Sequence, residues 1–233
     1  MKKTILTLLL SLFSATYSSG VIASKMELAK ELTEAETKTL QEGKFIVKIQ
    51  EIKGSAWPAI TYYALIEASP LEAIGIFAAY DIQKDYVPNV IKSSVIKHVT
   101  ATDVHTQYEL YVPFPLSNAH YIHGAKLFQY ESDYELTWYM VESTSTDEVR
   151  GSAYFTPSAG KTLLRYQSYV KPKSLFGGLV KKIMLKDVEK TISAIRAYIE
   201  KLKRENSPLL TKYTEFIKRA LKGEFVYQDL IQK

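Results

Sequence analysis

LVKKIMLKDVEKTISAIRAYIEKL, residues 179–202, decides the fold. Leu179, Ile183, Val188, Ile192, Ile195, Ile199 and Leu202 recur every three to five residues, which puts them on one side of an α-helix. Lys181, Lys182, Lys190, Arg196 and Lys203 fill the other faces. The spacing predicts an amphipathic helix from Leu175 or Gly178 to about Arg204. At 1.5 Å per residue it is roughly 40 Å long. A rod of that length can lie across a whole β-sheet, and its apolar stripe needs one to cover it.

The segments before it supply the sheet. Strands are expected at Val90–Val99, Thr106–Val112, Tyr121–Tyr130, Tyr134–Ser143, Val149–Thr156 and Thr162–Val170. They are β-branched and aromatic, and short connections rich in Asp, Ser, Asn, Pro and Gly join them, as in an antiparallel meander. Two earlier strands are expected at Phe45–Lys53 and Ile60–Ala68. Between these groups, Ser69-Pro70-Leu71-Glu72 is a capping box with proline at the first helical position. It starts a short helix running to about Tyr80, followed by a turn over 81–88. The order is β-β-α-β(six)-α: an α+β chain whose curved antiparallel sheet wraps round a long C-terminal helix.

Flanking segments complete the domain map. Lys2-Lys3, the apolar run Thr4–Ala15 and Val21-Ile22-Ala23 read as an export leader, residues 1–23, cut after Ala23 with Gly20 and Ser24 as alternatives. The alternative is an uncleaved anchor, against which the run falls short of the roughly 20 residues a spanning helix needs. Cleavage would place the mature chain in the periplasm or outside the cell. Residues 24–43 form a helical lead-in, Met26–Gln41, with Gly43 beyond its C-cap. Residues 44–205 form the main domain. Ser207-Pro208 restarts a helix to about Lys222 within an extension, 206–233.

Composition narrows the function. The chain has 17 Tyr, 9 Phe and 2 Trp in 233 residues, a balance suited to sheets and to apolar cavities with a few hydroxyls. Formal charge is +5. It falls to about +3 without Lys2 and Lys3, too mild for a nucleic-acid partner but compatible with transient contact with an anionic membrane surface. No cysteine is present, which excludes disulfides, thiolate metal sites, cysteine nucleophiles and a lipid-modified N-terminal cysteine.

Alternation assigns the inner wall. Tyr108, Leu110 and Val112; Leu136, Trp138 and Met140; Ala153 and Phe155; and Leu164, Tyr166 and Ser168 share one face, opposite Leu179 and Ile183 of the long helix. The other face carries Gln107, Glu109, Glu135, Thr137, Arg150, Ser152, Arg165 and Gln167, as expected for the solvated side of an antiparallel sheet. The pattern identifies the buried face and leaves open whether that interior is hollow or solid.

Several stretches resemble the START/SRPBCC superfamily. Ala64-Leu65-Ile66-Glu67-Ala68-Ser69-Pro70-Leu71-Glu72-Ala73 is similar to its strand-to-helix junction. Tyr80-Asp81, Asp85-Tyr86-Val87-Pro88-Asn89-Val90 and Ser93-Ser94-Val95 resemble its second helical turn and next strand. Val112-Pro113-Phe114-Pro115-Leu116-Ser117-Asn118 is similar to its Pro-rich stretch, and Leu40-Gln41-Glu42-Gly43-Lys44-Phe45 to the lead-in of exported bacterial members. The resemblance covers about residues 40–204 and implies a helix-grip fold holding a lipid, sterol, quinone or similar molecule. Some members are cyclases or hydratases. The chain departs from the pattern where the Pro-rich stretch continues Asn118-Ala119-His120 rather than Asn-Arg-Asp, so an ion pair is missing there. It departs again where Ile74 or Phe77 stands in place of a frequent tryptophan.

No catalytic constellation is legible. His98, His105, His120 and His123 read as surface or singly hydrogen-bonded residues. His120 and His123, three apart on a strand, face opposite ways and make a poor metal pair. Gly160-Lys161-Thr162 lacks the earlier glycine of a P-loop and reads as a hairpin turn. No metal or cofactor is implied. The expected ligand contacts are the thirteen inner-wall and helix residues above, with Tyr108, Tyr166 and Ser168 offering hydroxyls. Three further expectations concern partners. Phe176-Gly177-Gly178 reads first as a tight turn and second as a gate to the cavity, Trp57-Pro58 first as a locally packed pair and second as a bilayer contact, and Leu209, Phe216 and Ile217 would dock a protein unless their helix packs on its own domain.

Overall fold

The computed structural model describes residues 28, 30–55, 57–112, 117–173 and 177–231, with the backbone alone for 177–185. The expected leader, Met26, residues 113–116, Phe176 and the side chains of Leu179 and Ile183 lie outside the described residues. The elements in chain order are α1 (Glu34–Gln41), β1 (Ile46–Gln50), β2 (Ala59–Ile66), α2 (Pro70–Phe77), a 3-10 turn (Gln83–Asp85), β3 (Val90–Thr100), β4 (Asp103–Leu110), β5 (Ala119–Tyr130), β6 (Asp133–Ser143), β7 (Thr146–Ser158), β8 (Lys161–Pro172), α3 (Gly177–Arg204), α4 (Pro208–Leu221) and α5 (Gln228–Ile231).

The eight strands form one antiparallel sheet in the order β1-β2-β8-β7-β6-β5-β4-β3. Hairpins join β3 through β8 in sequence. Between β7 and β8 the turn residues Ala159 and Gly160 both have positive φ, +46° and +78°, which a two-residue turn of this hand requires. This is the expected hairpin at Gly160-Lys161.

The capping box sets the start of α2. Ser69 N–H donates to Glu72 Oε2 at 2.9 Å, and Glu72 N–H donates back to Ser69 Oγ at 3.4 Å. The helix then runs inside the curve of the sheet, with Ala73 to Phe77 all buried. It ends at Phe77, a turn earlier than expected. Its interior is too crowded for side chains at one point. A Cβ on Gly75 would lie 3.1 Å from the Thr214 nitrogen and the Tyr213 carbonyl carbon, so glycine lets α2 and α4 touch backbone to backbone.

The main core joins β2, β4 to β8 and α2 to the last half of α3, where Ile192, Ile195, Ile199 and Leu202 are buried. The terminal helix α4 belongs to this same core through Leu210, Tyr213, Ile217 and Ala220. Tyr213 Oη donates to Asp81 at 2.9 Å. This corrects the expectation of a free docking helix. Ile217 is spent on the chain's own core, Phe216 packs against it, and Leu209 alone of the three is exposed.

The lead-in lies on the outer face of the sheet. Leu28 and Leu40 pack with Tyr63, Tyr154 and Leu163 in a second, smaller core. Leu28 and Lys30 are helical, but the helix expected over 26–41 is broken at 31–33, and a capping box of Thr33 and Glu36 starts α1 afresh at Glu34. Glu31, just before it, accepts from Arg165 Nη1 at 2.6 Å and from the Tyr63 hydroxyl. Trp57 is 5% exposed, which removes it as a membrane anchor in this conformation.

Candidate functional site

Strand registry collects the inner wall. Leu136, Ala153, Tyr166 and Tyr62 lie side by side across β6, β7, β8 and β2, and Tyr134, Phe155, Leu164 and Ala64 form the row beneath. The next row upward is Trp138, Gly151, Ser168 and Ile60. Alternation therefore orients Leu136, Trp138, Ala153, Phe155, Leu164, Tyr166 and Ser168 as expected. Met140 follows on β6 opposite His123, and Tyr108 and Leu110 continue the face on β4. Val112 lies beyond the end of β4, half-buried, and is not part of the strand wall.

The interior has two unlike ends. One is filled. Ala64, Ile66, Leu136, Ala153, Phe155 and Leu164 are at most 3% exposed beneath α2 and the second half of α3. A layer of rings caps it: Phe77 stands 5.4 Å from Phe155 and 6.4 Å from both Trp138 and Tyr166, and Trp138 and Tyr166 are 5.1 Å apart. Gly151 makes room for this layer. A Cβ there would sit 2.3 Å from Cζ2 of Trp138, so the indole lies flat on the bare backbone.

Beyond the rings the wall changes character. Tyr121, His123, Trp138, Met140 and Tyr166 are only half-buried by area. Yet burial is what dominates the chemistry of the titratable three. It raises the Tyr121 and Tyr166 hydroxyl pKa values and pushes the His123 imidazole down to about 4. These side chains are crowded by protein and still keep accessible surface. The curl of the sheet is visible here as well: Tyr121 on β5 and Tyr166 on β8, three strands apart, are near enough for the one to perturb the other.

His123 corrects the expectation of surface histidines. It faces inward, opposite Thr106 on β4 and Met140 on β6, stacked 4.3 Å from Tyr121 and 5.8 Å from Tyr108. Its Nε2 is sealed from solvent and has no hydrogen-bond partner. The β5–β6 register slips here, skipping Val141 between the pairs Ile122–Glu142 and His123–Met140. A bulge of this kind re-aims side chains locally. His120, by contrast, is exposed opposite Glu109, so the two histidines do face opposite ways.

Two neighbouring tyrosine hydroxyls are engaged. The Tyr108 hydroxyl donates to Gln83 Oε1 at 2.6 Å, and Gln83 Nε2 donates to the Phe77 carbonyl at 2.8 Å. Tyr108 thus ties the 3-10 turn to α2 and is not a spare donor for a ligand. Tyr86 secures the same turn, with its hydroxyl on the Ile76 carbonyl at 2.7 Å and its ring stacked 4.4 Å from Tyr198 of α3. Among the described residues no group of His, Asp and Glu is arranged to hold a metal ion. A separate cavity of about 30 Å³ lies under α4 between Ala78, Leu136, Phe216, Ile217 and Tyr227, room for a water-sized guest only.

No protein-family model and no curated protein sequence matches the chain. Solved structures do. A STAR-related lipid transfer protein from Xanthomonas axonopodis superposes with a TM-score of 0.62 at 16% identity, over 68% of this chain and 94% of that one. Human StAR-related lipid transfer protein 5 gives 0.57 at 11%, over 76% and 99%. The Zhui aromatase/cyclase from Streptomyces sp. R1128 gives 0.53 at 9%, over 63% and 95%. With its eight antiparallel strands curved round a long C-terminal helix, the chain has the helix-grip fold of the START/SRPBCC superfamily.

Proposed function

We propose that this protein binds a hydrophobic small molecule in the hollow beside Tyr121, His123, Trp138, Met140 and Tyr166, and carries or buffers it between membranes. The observation that carries the proposal is the half-buried, mostly aromatic wall on the inside of a sheet that is otherwise solidly packed. Few polar groups in an apolar, enclosed wall is the expected lining for a lipid-like guest. Two of the structural neighbours bear the name lipid transfer protein, which agrees with this assignment. Export through the N-terminal leader, and a guest drawn from a membrane, belong to the same proposal.

A cyclase or hydratase in the same hollow is the alternative, favoured by one inward titratable group, His123, and by the resemblance to a named aromatase/cyclase. Acid–base work of that kind needs a partner for the histidine. Among the described residues no Asp or Glu occupies an inner-facing position of β4 to β8, so binding is the stronger assignment. The test is organic extraction of the purified chain followed by mass spectrometry. A stoichiometric apolar compound absent from a control protein supports binding. An empty extract, together with no saturable uptake of an apolar dye by the stripped protein, sinks it.

A further inference from the structure

Within the proposed hollow, we infer that His123 is the polar anchor of the guest, and that the guest is a neutral molecule presenting a hydroxyl group to it. The inference rests on the binding function proposed above and adds the chemistry of the head group.

Two polar atoms on the inner wall lack a well-formed hydrogen bond, and they are neighbours. His123 Nε2 and Thr106 Oγ1 are both sealed from solvent without one, Thr106 having only the Tyr108 hydroxyl near enough to influence. The two residues are paired directly across β4 and β5, and both side chains point inward. Side chains so placed have Cβ atoms about 5 Å apart. Burying a polar atom unpaired incurs its full desolvation cost, so an orphan pair at one spot calls for a third group. The residue as a whole keeps some accessible surface. A half turn about Cβ–Cγ exchanges the two edges of the imidazole.

The chemistry of the third group follows from what surrounds it. A hydroxyl donates and accepts at once, so it satisfies the imidazole in either tautomer. An alkyl chain satisfies neither. A carboxylate or phosphate brings a charge that needs a cation, and among the described residues no Lys or Arg occupies an inner-facing position of β4 to β8. The rings of Tyr108 and Tyr121 flank the imidazole and leave the apolar part of the guest to lie along Met140, Trp138 and Tyr166. The Tyr108 hydroxyl is already committed to Gln83.

Competition against bound N-phenyl-1-naphthylamine on the stripped full-length chain at pH 7.5 tests this. Dodecan-1-ol, its methyl ether and dodecanoate share a chain length and differ in the head. The alcohol should displace the dye at a concentration about 5- to 10-fold lower than either of the others. In His123→Phe that preference should vanish, the three competitors displacing the dye at similar concentrations once scaled to the variant's own dye affinity. If His123→Phe does not fold by circular dichroism, Thr106→Val takes its place and should reduce the preference about threefold. A preference unchanged in the folded variant, or dodecanoate binding as well as the alcohol, overturns the inference while leaving the hollow intact. Failure of the wild-type chain to bind the dye removes the hollow, and the inference with it.

Discussion

Acid should weaken this protein through His123 in a way that one substitution can isolate. An unfolded histidine titrates near 6.5. In the fold, burial pushes His123 down to about 4. Between those values the unfolded chain binds more protons than the folded one, so stability rises with pH across the window. The contribution is complete above about pH 6.5 and is lost as pH falls toward 4. Integrated from pH 7 to pH 4.5, a shift of that size amounts to about 2 kcal/mol. The groups packed against the imidazole are Tyr108, Tyr121, Thr106 and Met140, none of which titrates in this range. Exposed carboxylates add their own losses, but equally in a variant that lacks only the imidazole. Urea unfolding of the wild type and His123→Gln, followed by circular dichroism at both pH values, therefore gives the term as a difference of differences. The wild type should lose about 2 kcal/mol more than the variant. Parallel losses, within about 0.5 kcal/mol, would mean that the ring is solvated and that its inward placement is wrong.

Two further substitutions probe other parts of the structure. Gly151→Val puts a side chain where the Trp138 indole and the Gln167 carbonyl already lie, both 2.3 Å from the added Cβ. It should cost at least 1–3 kcal/mol as overpacking and shift the Trp138 emission, measured by urea melts and fluorescence; unchanged melts and spectra would contradict the packing described. Glu31→Ala removes the acceptor of Arg165 and Tyr63, and Arg165 already has a sealed, unpartnered Nε. It should destabilise by about 1–2 kcal/mol, reduced from the buried-pair figure because Glu31 is partly exposed, and it should speed proteolysis of the lead-in.

Much of this fold is legible because its signals are local. The Ser69–Glu72 capping box, the Gly160 hairpin and the seven-residue stripe of α3 each depend on a few neighbouring residues. So does the inner register of β6, β7 and β8, where apolar and polar positions alternate cleanly. β5 is harder to read. Ile122 and Phe128 sit on its outer side, so alternation points both ways and His123 cannot be assigned to the wall without the pairing to Thr106 and Met140. The outer face of β2, β7 and β8 misleads for a related reason. Tyr63, Tyr154 and Leu163 form an apolar patch there that makes sense only once Leu28 and Leu40 cover it. The start of α1 at Glu34 is legible too, since Thr33 and Glu36 repeat the capping-box spacing of Ser69 and Glu72. Where the interior is filled is a tertiary matter: alternation chooses the buried face, and only the placement of Phe77 against Phe155, Trp138 and Tyr166 marks the limit of the packed end.

The chain has two tryptophans, and Trp57→Phe leaves Trp138 as the sole reporter, set in the wall of the proposed hollow beside Tyr166. Titrating that stripped variant with N-phenyl-1-naphthylamine asks whether an apolar guest enters there. Saturable one-to-one binding, with Trp138 emission falling as dye emission rises, is the expected result. A dye signal that climbs without saturating, while Trp138 stays unquenched, would mean that the space between sheet and helix admits no guest.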